Sequence, residues 1–123
     1  MSPDEIGDRL KEKLEAHVAD LDNGKYKVAD LNTIALWHLY LWGSLLYYRE
    51  DMSPMSDDTF DAVCQELYKR APEDGSRHQD IRRTDAYPWD RQAFKAGTGF
   101  HVTYQAVSLP IVRAAETYVA ENM

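Results

Sequence analysis

The sequence predicts a small all-α domain of four to five helices, with at most a short β segment near residues 99–104. Three observations carry that expectation. Apolar residues recur at helical spacing through most of the chain, helix-capping residues stand directly ahead of those runs, and strand-like alternation is confined to one short stretch. At 123 residues the chain fits a single domain, with no internal repeat and no linker long enough to divide it. Its 44% hydrophobic content and eight tyrosines are enough to bury a core.

The elements follow in order. Ser2-Pro3-Asp4-Glu5 has the pattern of a capping box with proline at the first helical position. Behind it Ile6, Leu10, Leu14, Val18 and Leu21 mark an apolar stripe, Lys11, Glu12, Lys13 and Glu15 are expected on the wet face, and Asn23-Gly24 ends the helix. Asp30 is expected to cap a second helix reaching about Arg49. It is apolar almost all round, from Leu31 and Ile34 through Trp37, Tyr40 and Trp42 to Leu46, as suits a buried spine. Gly43 inside it costs about 1 kcal/mol of helix propensity, so a close contact is expected there. A third helix runs from about Asp57 to Arg70, capped by Ser56, with Phe60, Val63, Cys64 and Leu67 inward. Residues 71–87 read as a long polar loop. Pro88-Trp89-Asp90 opens a short helix that Gly97 closes, Phe100 to Tyr104 supplies the strand-like alternation, and a last helix from about Pro110 to Glu121 buries Ile111, Val112, Ala115 and Val119.

Charge and composition narrow the function classes. The net charge of −7 opposes direct nucleic-acid binding, and the small basic group Arg77-His78, Arg82-Arg83 and Arg91 does not offset it. The single Cys64 offers neither a disulfide framework nor zinc spacing. His17, His38, His78 and His101 do not fall at metal-ligand spacing, so no metal site is expected, and His38 inside the apolar helix reads as a core histidine. Gly97-x-Gly99 neither follows a strand nor opens a long helix, and reads as a helix end and turn rather than a dinucleotide fingerprint. The start of the chain is polar and acidic, and no apolar run reaches membrane-spanning length, so no membrane association and a cytoplasmic location are expected.

The most informative stretch is residues 47–67, YYREDMSPMSDDTFDAVCQEL. It reads as a helix end carrying Tyr47 and Tyr48, an acidic turn, and a helix start in which Ser56 precedes Asp57, Asp58 and Asp61. This stretch resembles the small N-terminal helical subdomain (domain Ia) of NAD-dependent DNA ligases. The hallmark there is a tyrosine-containing helix end followed by D-x-P-x-x-S/P-D-x-x-Y-D-x-L-x-x-E-L. Tyr47, Asp51, Ser56, Asp57, Phe60, Asp61, Val63, Glu66 and Leu67 match it without a gap. Over residues 31–70 the resemblance implies a ligase-like helix-turn-helix, with 71–123 as a C-terminal extension. It further implies that Tyr47, Tyr48, Asp57, Phe60 and Asp61 stand where the family clamps the nicotinamide mononucleotide half of NAD. Tyr48 replaces a histidine, Phe60 replaces a tyrosine, and the proline is displaced by one position to Pro54.

The family's catalytic part has no counterpart here. The nucleophile motif K-x-D-G is absent, because Glu73-Asp74-Gly75 has proline, not lysine, two residues before its aspartate. No catalytic residues are assigned, and ligation is not expected. The resemblance points instead to the stand-alone ligase-related small proteins associated with bacteriophages. The leading expectation is a non-catalytic accessory protein that binds a host or phage protein. The alternative is a module that binds nicotinamide mononucleotide or NAD, with rings on the heterocycle and carboxylates on ribose hydroxyls or the carboxamide. The same serine and acids also serve folding alone, by capping a helix.

Overall fold

The computed structural model describes residues 2–74 and 91–123. Among these the fold is all-α. The helices are α1 (Pro3–Asp22), α2 (Thr33–Arg49), α3 (Asp57–Arg70), α4 (Arg91–Ala96) and α5 (Leu109–Asn122), with 3-10 turns at Val28–Asp30 and Tyr104–Ala106. Most of the 71–87 loop, the Arg77 to Arg83 basic group and the Pro88-Trp89-Asp90 helix opening lie outside the described residues.

The spine is α2. Leu36, Trp37, Leu39, Tyr40, Leu41, Trp42, Leu45 and Leu46 are all fully buried, which requires neighbours on every side. α3 runs back along α2, so that Arg70 reaches Thr33 (3.0 Å) at one end while Phe60 meets Tyr40 and Tyr47 at the other. Gly43 lies in that interface. A Cβ there would sit 2.9 Å from Met55 Cε and 3.4 Å from the Phe60 ring, which accounts for the glycine. α5 covers another side, where Ala114 O accepts from Trp42 Nε1 (3.3 Å) and Tyr118 packs edge-on against Trp42. α4 contributes Phe94, wedged against Trp37 and Tyr40.

α1 and α5 lie side by side and parallel, since Asp8 accepts from Arg113 and Thr117 while Lys11 pairs with Glu121. Gly7 permits the approach, because a Cβ there would lie 2.4 Å from Arg113 Cβ. Lys11 departs from the expected wet face. It is 6% exposed, its stem packed between the two helices and its ammonium shared by Glu15 (3.0 Å) and Glu121.

Two further expectations are corrected. Asp30 does not cap α2. Its carboxylate accepts from Lys27 N–H (3.0 Å) within the 3-10 turn, Leu31 is extended, and Asn32 is the cap, accepting from Ala35 N–H (2.8 Å). The Phe100 to Tyr104 alternation forms no strand. Val102 N–H bonds to Gly99 O (2.9 Å) in a turn that leads into the second 3-10 turn, and no strand occurs among the described residues. A strand needs a partner, and a lone alternating pentapeptide has none.

Candidate functional site

Local chemistry builds the site at the α2–α3 turn. Ser56 Oγ accepts from Thr59 N–H (3.1 Å) and donates to Asp22 (3.1 Å) at the end of α1, which pins the start of α3. The intervening turn places Asp51 at φ 56, a left-handed conformation that aspartate tolerates, and Met52 N–H closes it on Leu46 O (2.9 Å). Asp57 then opens α3, where its charge complements the helix dipole, and Asp61 follows one turn later on the same face.

Tyr47, Tyr48, Asp57, Phe60 and Asp61, all five residues anticipated from sequence, line one cleft of 170 Å³, and Gly97 completes it. The rings stand at angles to one another. Tyr47 lies 5.6 Å from Phe60 and 6.2 Å from Tyr48, centroid to centroid. Phe60 is buried, stacked at 6.0 Å on Tyr40, so it forms a floor rather than a wall. The Tyr47 hydroxyl donates to Asp57. That bond, with burial added, raises the Tyr47 phenol above its ordinary 10.0 and keeps it a donor at neutral pH. Asp61 is exposed, and its carboxylate accepts no hydrogen bond among the described residues.

The Gly97 wall was not anticipated as part of the site. Gly97 N–H bonds to Phe94 O (3.1 Å) and Thr98 N–H to Ala93 O (3.0 Å), a Schellman ending of α4 with Gly97 at φ 72. The helix-end reading of Gly97 therefore holds. A Cβ at Gly97 would stand 3.1 Å from Asp61 Oδ1 and crowd the cleft. The loop beyond it is fastened to α2 at several points. The Tyr40 hydroxyl donates to Thr98 O (2.7 Å), Thr98 Oγ1 to the Tyr48 hydroxyl (3.2 Å), and Arg49 to Val102 O (3.1 Å) and to Phe100 O. Gly99 lies directly on α2, where a Cβ would fall 1.8 Å from Ser44 Oγ. The sequence signal for this wall was Gly97-x-Gly99, which marks a turn but not what the turn faces.

Chemically, the cleft offers aromatic faces and two carboxylates, with no cationic side chain among the described residues that line it. Its size suits one ring, since a cavity of about 150 Å³ takes up a benzene molecule. Among the described residues no three or more His, Cys, Asp or Glu side chains gather to hold a metal ion, and no helix is long and apolar enough to cross a membrane. No protein family, curated protein or solved structure matches the chain.

Proposed function

We propose that this chain is a non-catalytic binding module for a nicotinamide nucleotide. The observation that carries the reading is the convergence of Tyr47, Tyr48, Asp57, Phe60 and Asp61 on one ring-sized cleft that Gly97 closes from the C-terminal half. In the resembling ligases the corresponding subdomain is completed by a second domain, and here the clamped 97–102 loop is the substitute wall. The oxidised nicotinamide ring is a flat pyridinium cation. Aromatic faces attract such a ring through their quadrupoles, and nearby carboxylates add to the attraction. The ribose diol donates to Asp61, and the phosphate points to solvent, away from the acids.

This assignment makes ring charge the deciding variable. Calorimetric titration with nicotinamide mononucleotide and with its reduced, neutral dihydropyridine form tests it. The oxidised form binds more tightly, by about fivefold or more, as expected for a cation held by a ring and an acid. Tyr47→Ala abolishes the preference and Asp61→Asn weakens it. Equal affinity for the two redox forms would overturn the assignment.

A second reading rests on the rim. Phe100 is 63% exposed, with its ring edge-on to Tyr48 and the Arg49 guanidinium 5.1 Å above it. An exposed aromatic paired with arginine is the composition of protein-docking hot spots. An accessory protein that binds a protein partner would use this rim. Phe100→Ala would then abolish partner capture while leaving nucleotide affinity within about twofold.

A further inference from the structure

A cleft of 170 Å³ has room for a nicotinamide ring, so ribose and phosphate lie outside it, at a mouth whose charge is one-sided. Glu50, Asp51, Asp57, Asp58, Asp61 and Glu66 fall between positions 50 and 68, a segment with no lysine, arginine or histidine. The four aspartates among them are exposed. The bias extends to the whole chain, whose net charge is −7. Residues 75–90 contribute nothing to that charge, since their three arginines balance three aspartates.

The cations on the three helices that frame the cleft are placed or committed elsewhere. Lys69, Arg70 and Arg91 belong to the far end of α3, where Arg70 meets Thr33 and the Arg91 guanidinium covers the Tyr68 ring. Arg49 gives its Nε–H to Val102 O and an Nη2–H to Phe100 O. Lys95 is exposed on α4 and does not line the cleft. The start of α3 is no anion site either, because Ser56 caps it and its first turn supplies carboxylates of its own, Asp57 and Asp58.

We propose that the preferred ligand of this cleft is the phosphate-free nucleoside, nicotinamide riboside, with the mononucleotide held more weakly; the inference rests on the nicotinamide reading. Both compounds carry the pyridinium cation. Only the mononucleotide adds a phosphomonoester, with about two negative charges at pH 7. With the ribose diol donating to Asp61, that phosphate is tethered one sugar away, on the order of the 8 Å Debye length at physiological salt. At that range in water, repulsion between a divalent group and one carboxylate is worth about fourfold in affinity at 0.01 M salt and about twofold at 0.15 M. The other acids of the 50–68 segment act in the same direction.

The experiment is a calorimetric titration with nicotinamide riboside and with nicotinamide mononucleotide, at about 0.01 M and about 0.15 M salt. The riboside should bind about fourfold or more tightly at the lower salt, and the ratio should narrow to about twofold at the higher. Asp61→Asn, an exposed change, should weaken the riboside more than the mononucleotide and so narrow the low-salt ratio. Asp4→Asn, exposed at the opposite end of α1 from Asp22, removes the same charge and should leave that ratio unchanged. Equal affinities at low salt, tighter binding of the mononucleotide, or a ratio that neither salt nor Asp61→Asn moves would each overturn this inference while leaving the ring-charge preference of the cleft standing. Failure of both compounds to bind would overturn it together with the nicotinamide reading.

Discussion

Gly99→Ala tests whether the C-terminal half truly closes the nucleotide cleft. The new methyl would lie 1.8 Å from Ser44 Oγ, 2.6 Å from Ser44 Cβ and 3.6 Å from Ser44 Cα. The first two distances cannot be met without moving the loop, and the third is ordinary contact. Overpacking of this kind costs about 1–3 kcal/mol. For a chain of 123 residues the unfolding entropy scales so that each kcal/mol moves Tm by about 4 °C. Gly99→Ala should therefore lower Tm by about 4–12 °C in a calorimetric scan. The distances also rank the rescues. Ser44→Ala removes only Oγ and leaves Cβ in collision, so it rescues in part. Ser44→Gly removes both atoms at about 0.5 kcal/mol of helix propensity, so it rescues most of the loss. Because residues 97 to 102 carry the Gly97 wall, nucleotide affinity should fall in Gly99→Ala and return with Ser44→Gly. A Tm for Gly99→Ala within a degree of the parent, or equal rescue by both serine variants, would refute the reasoning.

Other perturbations have equally definite outcomes. His17 is held below its ordinary 6.5, first by burial and then by Lys13. The unfolded chain therefore binds this proton more readily than the folded one. The contribution of neutral His17 is fully present above 6.5 and is lost as pH falls through the lowered folded value. Tm should decline as pH falls below about 6.5, and His17→Gln should flatten that decline. Asp8, lowered from 3.8 chiefly by the Thr117 hydroxyl, gives way only at more acid pH, so the two effects separate. The Cys64 thiol is buried and pushed up to about 12, chiefly by burial. It should resist a thiol reagent at neutral pH until denaturant unfolds the chain, and reactivity that precedes loss of helical signal would contradict its burial. Asp57→Asn should lower Tm by about 2 °C through the lost helix-start charge, whereas Asp61→Asn should leave Tm within about a degree and weaken nucleotide binding.

The helices were legible because each is written locally. Ser2 and Ser56 cap the helices they precede, and the inward residues of α3 are those its periodicity names. Where two signals of equal kind compete, sequence cannot rank them. Asp30 and Asn32 are both good caps, and the choice fell to Asn32 because Asp30 closes the preceding 3-10 turn on Lys27. Lys11 was misplaced for a different reason. Its burial depends on α5, which returns to α1 from the far end of the chain. The cleft divides along the same line. Tyr47, Tyr48, Asp57, Phe60 and Asp61 belong to one helix-turn-helix, and the resemblance to the ligase subdomain is what grouped them. Gly97 could not be grouped with them, because nothing near it in the chain records that its turn faces Asp61.

The two aspartates of the cleft carry unequal weight in the functional argument. Asp57 is accounted for by folding. It opens α3, where a carboxylate is favourable, and its oxygen is already taken by the Tyr47 hydroxyl. A protein with no ligand at all would keep it. Asp61 has no such account. It sits beyond the first turn, exposed, with its carboxylate unbonded among the described residues, and it faces the one position in the loop where a Cβ would crowd it. Burial explains Phe60 in the same way that capping explains Asp57, since its ring would be needed under Tyr40 in any case. What packing and capping leave unexplained is therefore Asp61 opposite Gly97, with Tyr47 and Tyr48 presenting their rings beside them. The nucleotide reading stands on that remainder, and Asp61 is the residue whose substitution separates binding from folding.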